Sequence, residues 1–413
     1  MPALEYIIQL LSKRNSILCT PLASKITGSF KKLKKTCKKH NIRLITATTK
    51  QSIKGGVSCD ISEEIIQKIA RYPSCVQANS HWRDLTKDEQ SSLMMQWRTE
   101  VIQTAAKYAT QLDSIKPRAV LIFQGYLLHD AILKQLALQR NIKTIAIERT
   151  MRTDRLVWES ISGITVNRNQ ATLQYWKHQN STSVNNAEQS VNEYLSAIKR
   201  VKKNKEHQSP TLQYDWKTPS KKILFLGQVY TDSSMLYGLN GFNSPIELIG
   251  LLLEWTNSNN HSLVIKLHPK EHTGQNPVTL EPYADITHRL ISEHYSEALK
   301  RLGNRVFIDH QNTYDTYNLI EQSDLVTTAN SQAGLEAAIM GKSVVHDRQC
   351  FYGGLRFTYD YQDPLDFTLR LDQALQEGPK NISEAKKFFH ILFENYCIKN
   401  THNDVARLLS SQQ

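Results

Sequence analysis

From Lys222 to Val345 the chain repeats one pattern: a short apolar run, a turn that is polar or contains glycine, and a segment with helical periodicity. The runs are KILFLG (222–227), LVIKL (263–267), RVFI (305–308), DLVTT (324–328) and SVV (343–345). Helical segments separate them near 244–256, 284–302, 313–322 and 332–340. Unbroken apolar runs suit strands buried on both faces, and strands alternating with helices make a parallel sheet. The first half is built the same way. SILCT (16–20) and IRLITAT (42–48) flank a lysine-rich helix, and AVLIF (119–123) is followed by a helix near 127–139 and then TIAI (144–147). The expected fold class is therefore α/β, with two Rossmann-like domains facing a cleft. The basic stretch 201–220, interrupted by prolines, reads as a linker. It divides an N-terminal domain (1–200) from a second domain (221–380), and a terminal helix (381–413) is expected to pack across the junction.

Length agrees, since 413 residues exceed what one ordinary hydrophobic core organises. No stretch of about 18 uncharged apolar residues could span a bilayer. The start, MPALEYIIQLLSKRN, lacks a signal-peptide pattern and reads as an amphipathic helix. The six cysteines (Cys19, Cys37, Cys59, Cys75, Cys350, Cys397) form no C-x-x-C pair, so a reducing cytoplasm and no structural metal are expected. A net charge of +12 implies an acidic partner: nucleic acid, anionic lipid or a charged sugar nucleotide. The densest run, Lys31, Lys32, Lys34, Lys35, Lys38 and Lys39, fits either a solvated helix face or peripheral contact with an anionic membrane.

Four segments could carry chemistry. After KILFLG comes GQVYTD, placing Gln228 and Asp232 just past a strand C-terminus, where open α/β sheets bind ligands. Asp232 can equally be a helix cap. In KLHP, Pro269 ends the strand and turns His268 outward, where an imidazole can hydrogen-bond phosphate or exchange a proton, beside Lys266. In TTANSQAGLEAAIMGK, Asn330, Ser331 and Gln332 open a helix whose free N–H groups suit a phosphate. There Gly334 would allow close approach and Glu336 could reach a ribose hydroxyl; a well-capped βαβ unit without ligand would look alike. In the first domain, Glu148 and Glu159 sit among Arg149, Arg152 and Arg155, a possible acid or base with an anion clamp, or else an exposed charged loop. There is no Walker loop, no G-x-G-x-x-G after a strand, no G-x-S-x-G and no D-x-D metal motif, a pattern that suits a nucleoside monophosphate leaving group.

Together these segments resemble the bacterial β-Kdo transferases of capsule and O-antigen synthesis, most of all the enzymes that terminate O-antigen chains. That family shows Gln-Pro-x-x-Asp, His-Pro and a Ser-containing loop before a G-x-E helix, in this order. Here they correspond to Gln228 to Asp232, His268-Pro269 and Asn330 to Glu336. The segment AIERTMRTDRLVWESISGITVN is similar to the family's E-x-G followed by a G-V-N turn, which puts Glu148 on the glutamate. Val229 stands where the family has proline and Thr150 where it has glycine. The resemblance spans about residues 119–350.

The resemblance implies a GT-B-like, metal-independent glycosyltransferase with no cofactor beyond its donor, CMP-β-Kdo. It would act in the cytoplasm or peripherally on the inner membrane, on a glycan acceptor and not on nucleic acid. It implies retention of configuration, with Asp232 as nucleophile, His268 supporting departure of CMP, Ser331 and its helix holding the phosphate, and Glu336 on the ribose. Lys266 or one of Arg149, Arg152 and Arg155 would pair with the Kdo carboxylate, and Glu148 or Glu159 would assist catalysis. A CMP-sialic acid or CDP-polyol transferase and a non-catalytic basic module for anionic polymer or membrane are the alternatives.

Overall fold

A computed structural model describes residues 15–21, 29–48, 61–160, 162–163, 169–201, 213–216 and 220–411. The helix expected at the N-terminus, Cys59, most of the 201–220 linker and residues 164–167 of the G-V-N-like turn lie outside these.

The chain forms the expected two Rossmann-like α/β units, but divides elsewhere than expected. One unit comprises Met1–Ser74, Leu85–Asn167 and Cys397–Gln413; the other comprises Cys75–Asp84 and Arg168–Tyr396. The boundary near 200 is thus corrected to 167/168. Helices Asn169–His178 and Val184–Val201 join the second unit because they pack on helix Ile382–His390. Tyr175 and Tyr194 lie 5.9 and 5.0 Å from Phe388 and Phe389, and Ser190 bonds His390 at 2.7 Å. The single terminal helix expected at 381–413 is likewise corrected. It is a helix to His390, a π-helical turn Ile391–Tyr396, a strand Ile398–Lys399 and a helix His402–Ser411, shared between the two units.

The first unit holds β1 (Ser16–Cys19), β2 (Arg43–Thr46), β3 (Ala119–Phe123), β4 (Lys143–Arg149) and β5 (Arg155–Glu159). With the late strand Ile398–Lys399 at its edge the sheet runs 398–399, β5, β4, β3, β1, β2. β1 to β4 are parallel; β5 and the edge strand are antiparallel. Leu18, Val120, Ile122 and Ala146 face helices Lys87–Ile115 and Leu128–Gln139. Ile17, Leu121, Ile145 and Ile147 face helices Phe30–Lys39 and His402–Ser411. The lysine-rich helix buries only Leu33 and Cys37, leaving its six lysines exposed.

The second unit holds β6 (Lys222–Leu226), β7 (Ser262–Lys266), β8 (Val306–Asp309), β9 (Leu325–Thr327), β10 (Ser343–Asp347) and β11 (Tyr359–Tyr361), all parallel. Their order, β8-β7-β6-β9-β10-β11, is the full Rossmann order 3-2-1-4-5-6. Helix Pro245–Ser258, with proline in its first turn, buries Leu248, Ile249, Leu252 and Leu253 against Ile223, Phe225, Leu263 and Ile265. At about 1.5–3 kcal/mol for each fully buried aliphatic side chain, this layer fixes where the strand ends fall. Among the described residues no helix is long and apolar enough to cross a membrane.

Candidate functional site

In a sheet of this order the chain leaves β6 in one direction through β7 and β8 and returns on its other side as β9. The loops after β6 and β9 therefore diverge over a crevice at the C-terminal sheet edge. Gln228 and Asp232 follow β6; Asn330 and Ser331 follow β9. Gln228 Oε1 accepts from the Asn330 backbone N–H (3.3 Å) and Gln228 Nε2 donates to Ser234 Oγ (2.5 Å). Asn330 Nδ2 donates to the Ser234 carbonyl (2.8 Å). Asp232 caps the short helix Ser233–Gly238, its Oδ1 accepting from Ser234 N–H (2.9 Å) and Ser234 Oγ (2.6 Å). The cap and the exposed carboxylate are one and the same: Asp232 is exposed, and both of these bonds fall on one oxygen. Three of the expected residues thus meet on Ser234, which sequence reasoning passed over.

Ser331 caps helix Gln332–Ile339 through a bond from Ala333 N–H to its Oγ (3.2 Å), and its own N–H donates to Thr328 Oγ1 (3.3 Å). Ser331 and Gln332 are half-buried at the helix start. Two neighbours have other work than expected. A Cβ on Gly334 would collide with the Tyr352 hydroxyl, so the close approach there is by Tyr352, which donates to the Ser331 carbonyl (2.8 Å), and not by a ligand. Glu336 is buried and accepts from the hydroxyls of Tyr194 (2.5 Å) and Tyr317 (2.7 Å), so its expected bond to a ribose is corrected to an interior one. Desolvated by burial, and repelled as well by that carboxylate, Tyr317 is held far above the usual phenol range.

Lys266 is also corrected. It is 3% exposed, and its ammonium donates to Asp309 Oδ2 (2.7 Å), Asn312 Oδ1 (2.6 Å) and the Tyr314 carbonyl (2.7 Å). An ammonium has three donors, so none remains for a nucleotide or a sugar carboxylate. Burial lowers its pKa and Asp309 opposes that.

His268 is half-buried just beyond β7, and its Nδ1 accepts from Lys270 N–H (3.1 Å). In the neutral ring the proton therefore sits on Nε2, the nitrogen that can donate to a phosphate oxygen. Glu271 couples this loop to the Asp232 loop. Its carboxylate, 1% exposed, accepts from the N–H groups of Tyr230 (2.6 Å) and Thr287 (3.1 Å) and from Thr287 Oγ1 (2.9 Å). Burial pushes its pKa up to about 7 against those bonds. On the other side of the loop, buried His81 bonds the Tyr230 carbonyl through Nε2 (2.9 Å). Neither Glu271 nor His81 was singled out from sequence, since nothing local marks a residue whose partner is 41 or 149 positions away.

In the first unit Glu148 and Glu159 are both buried on antiparallel β4 and β5. Glu148 pairs with Val157 and Glu159 with Ala146, so the two carboxyls lie diagonally on one sheet face. Gln124 Nε2 donates to Glu148 Oε1 (2.6 Å), and a Cβ on Gly163 would collide with Glu148 Oε2. Burial raises the Glu159 pKa to about 8. The same face gathers groups absent from the sequence reading: Asp130, which accepts from Thr20 Oγ1 (2.5 Å) and Phe123 N–H (3.0 Å) and is raised by burial to about 7, and Lys134, which donates to Ser162 Oγ (3.0 Å). The arginines do not act as a triple clamp. Arg152 and Arg155 both bind Asp154, at 2.9 and 2.6 Å, while Arg149 is exposed.

A family model described as capsule polysaccharide biosynthesis protein matches residues 139–389, more than half of the chain, and takes in Glu148, Glu159 and every second-unit residue from Gln228 to Glu336. The chain belongs to that family. This capsule-synthesis protein has no match among curated proteins. Among solved structures it is similar to two of Thermosulfurimonas dismutans KpsC. The β-Kdo 2,4 transferase is 18% identical (TM-score 0.49, covering 71% of this chain and 87% of that one). The β-Kdo 2,7 transferase is 15% identical (TM-score 0.43, covering 74% and 89%). Acinetobacter baumannii MurG is 12% identical (TM-score 0.33, covering 96% and 99%).

Proposed function

We propose that this capsule-synthesis protein is a retaining glycosyltransferase that moves β-Kdo from CMP-β-Kdo to a bacterial surface glycan. The observation that carries the reading is the exposed Asp232 carboxylate at the switch point of a Rossmann sheet, gripped through one oxygen. An oxygen outside that grip attacks the Kdo anomeric carbon, and the bond from that carbon to the CMP phosphate breaks with its electron pair leaving on CMP. An acceptor hydroxyl then attacks the same carbon, the bond to Asp232 breaks, and the proton passes to a base. Two inversions give net retention.

Around that centre, the start of helix Gln332–Ile339 at Ser331 receives the phosphate and His268 Nε2–H donates to it as charge develops. No step in this scheme uses a metal ion. In the first unit Glu159, with a pKa near 8, can hold or release a proton close to neutral pH, and Glu148 is kept in place by Gln124 and Gly163.

The test is Asp232→Ala with a donor panel of CMP-Kdo, CMP-sialic acid, CDP-glycerol and UDP-sugars. Transfer from CMP-Kdo should fall by at least about 10³-fold, the scale at which one reacting group is lost, with CMP still bound. Donor without acceptor should leave a Kdo adduct on the wild-type peptide containing Asp232, seen by intact-protein and peptide mass spectrometry. An active alanine variant refutes the assignment, and a different preferred donor refutes the substrate.

A further inference from the structure

Sequence spacing gives no metal motif, yet the fold of the second unit brings His272, Asp285 and His310 together with one ligand atom each within 4.8 Å of the others. His272 lies on helix Lys270–Thr273, Asp285 immediately precedes helix Ile286–Leu302, and His310 follows β8. His272 Nδ1 is 3.2 Å from both Asp285 oxygens, and His310 Nδ1 is 3.3 Å from Oδ1. His310 Nδ1 is itself a buried atom without a hydrogen-bond partner among the described residues. The His288 ring stacks on His310 at 4.1 Å and 5°, holding that imidazole in orientation.

We propose that His272, Asp285 and His310 bind a divalent transition-metal ion of the zinc class. Two imidazoles and one carboxylate suit Zn²⁺ and its neighbours and not Mg²⁺ or Ca²⁺, which take oxygen sets. Ligands at about 2.0–2.1 Å from a tetrahedral ion stand about 3.3–3.4 Å apart, close to the two imidazole–carboxylate separations, and the two imidazoles lie within 4.8 Å of each other. Three protein ligands leave a fourth position for water. The side chains are 37%, 22% and 24% exposed, so the ion has a way in. The cluster ties three separate elements together. One is the helix that starts two residues after His268, and Asp285 N–H also donates to the Glu271 carbonyl (3.1 Å). Bound ion would therefore stiffen the His268 loop; binding itself does not depend on the transfer reaction.

The experiment uses the whole chain, stripped with chelator and titrated with Zn²⁺ by calorimetry near neutral pH. One equivalent is expected, with Co²⁺ giving the strong visible bands of a four-coordinate ion that Zn²⁺ discharges. The variants His272→Ala and His310→Ala should lose that equivalent and keep their circular dichroism. His294→Ala, an exposed histidine outside the set, should retain it. Should a variant misfold, the wild type still decides: Zn²⁺ should protect His272 from diethyl pyrocarbonate, mapped by mass spectrometry. Less than one equivalent, an equivalent that survives His272→Ala, or His272 reactivity unchanged by Zn²⁺ overturns the proposal.

Discussion

Replacing Lys266 by methionine separates a structural lysine from one that binds ligand. The side chain is similar in length and the site is closed, with Lys266 3% and Asp309 1% exposed, so the change removes charge while leaving little void. Asp309 keeps two backbone donors, Thr313 N–H (2.7 Å) and Tyr314 N–H (3.1 Å), but loses its counter-charge. Breaking a buried pair from one side costs about 3–5 kcal/mol. For a unit of this size each kcal/mol moves the midpoint by about 2–4 °C, so the second unit should melt roughly 6–20 °C lower. Lys266→Met/Asp309→Asn should recover part of that loss, because the orphaned charge goes too. Differential scanning calorimetry reads the stability, and steady-state kinetics at a temperature where both proteins are folded should show an unchanged donor KM. A melting temperature within about 2 °C of wild type together with a raised donor KM would refute the interior assignment.

Three further outcomes follow from the geometry. Gly163→Ala places a methyl against Glu148 and should cost about 1–3 kcal/mol by overpacking, with reduced transfer; urea denaturation showing no change would mean the 163 turn yields freely. The Glu159 pKa of about 8 lies above its usual value, so the neutral carboxyl stabilises the fold at low pH and that advantage fades as pH rises toward about 8. Glu159→Gln should gain stability relative to wild type across this window, and parallel melting-temperature profiles would contradict the shift. Reversing four of the exposed lysines between Lys31 and Lys39 to glutamate should abolish flotation with anionic vesicles if that face meets membrane; unaltered flotation removes the idea.

What the sequence made legible was the strands buried on both faces, because continuous apolar runs such as AVLIF have few other homes; β3 spans those five residues. β5 was missed because RLVWE begins and ends with charges, and only the fold shows that Arg155 and Glu159 are buried. The two-residue strand at Ile398 has no periodicity to detect. The domain boundary eluded a local reading because helices 169–201 are assigned by packing on residues near 388, about half the chain away. At the site, residue types were readable and directions were not. Asp232 and Ser331 sit at turns that point away from the core, whereas Lys266 and Glu336, equally plausible ligand binders by residue type, turn inward to Asp309 and two tyrosines.

The assignment of Cys397–Gln413 to the first unit has a consequence for synthesis. Until those residues leave the ribosome, β5 lacks its antiparallel partner Ile398–Lys399, and Ile17, Leu121 and Ile145 lack the cover of Val405, Ala406 and Leu409. The first unit to be translated is thus the last to be completed, after the whole second Rossmann sheet has emerged. In the interval it presents an unpaired strand edge and an open apolar face, the two features that recruit chaperones or seed aggregates. A chain stopped at Tyr396 would hold that nascent state permanently, with the lysine-rich helix beside the uncovered surface.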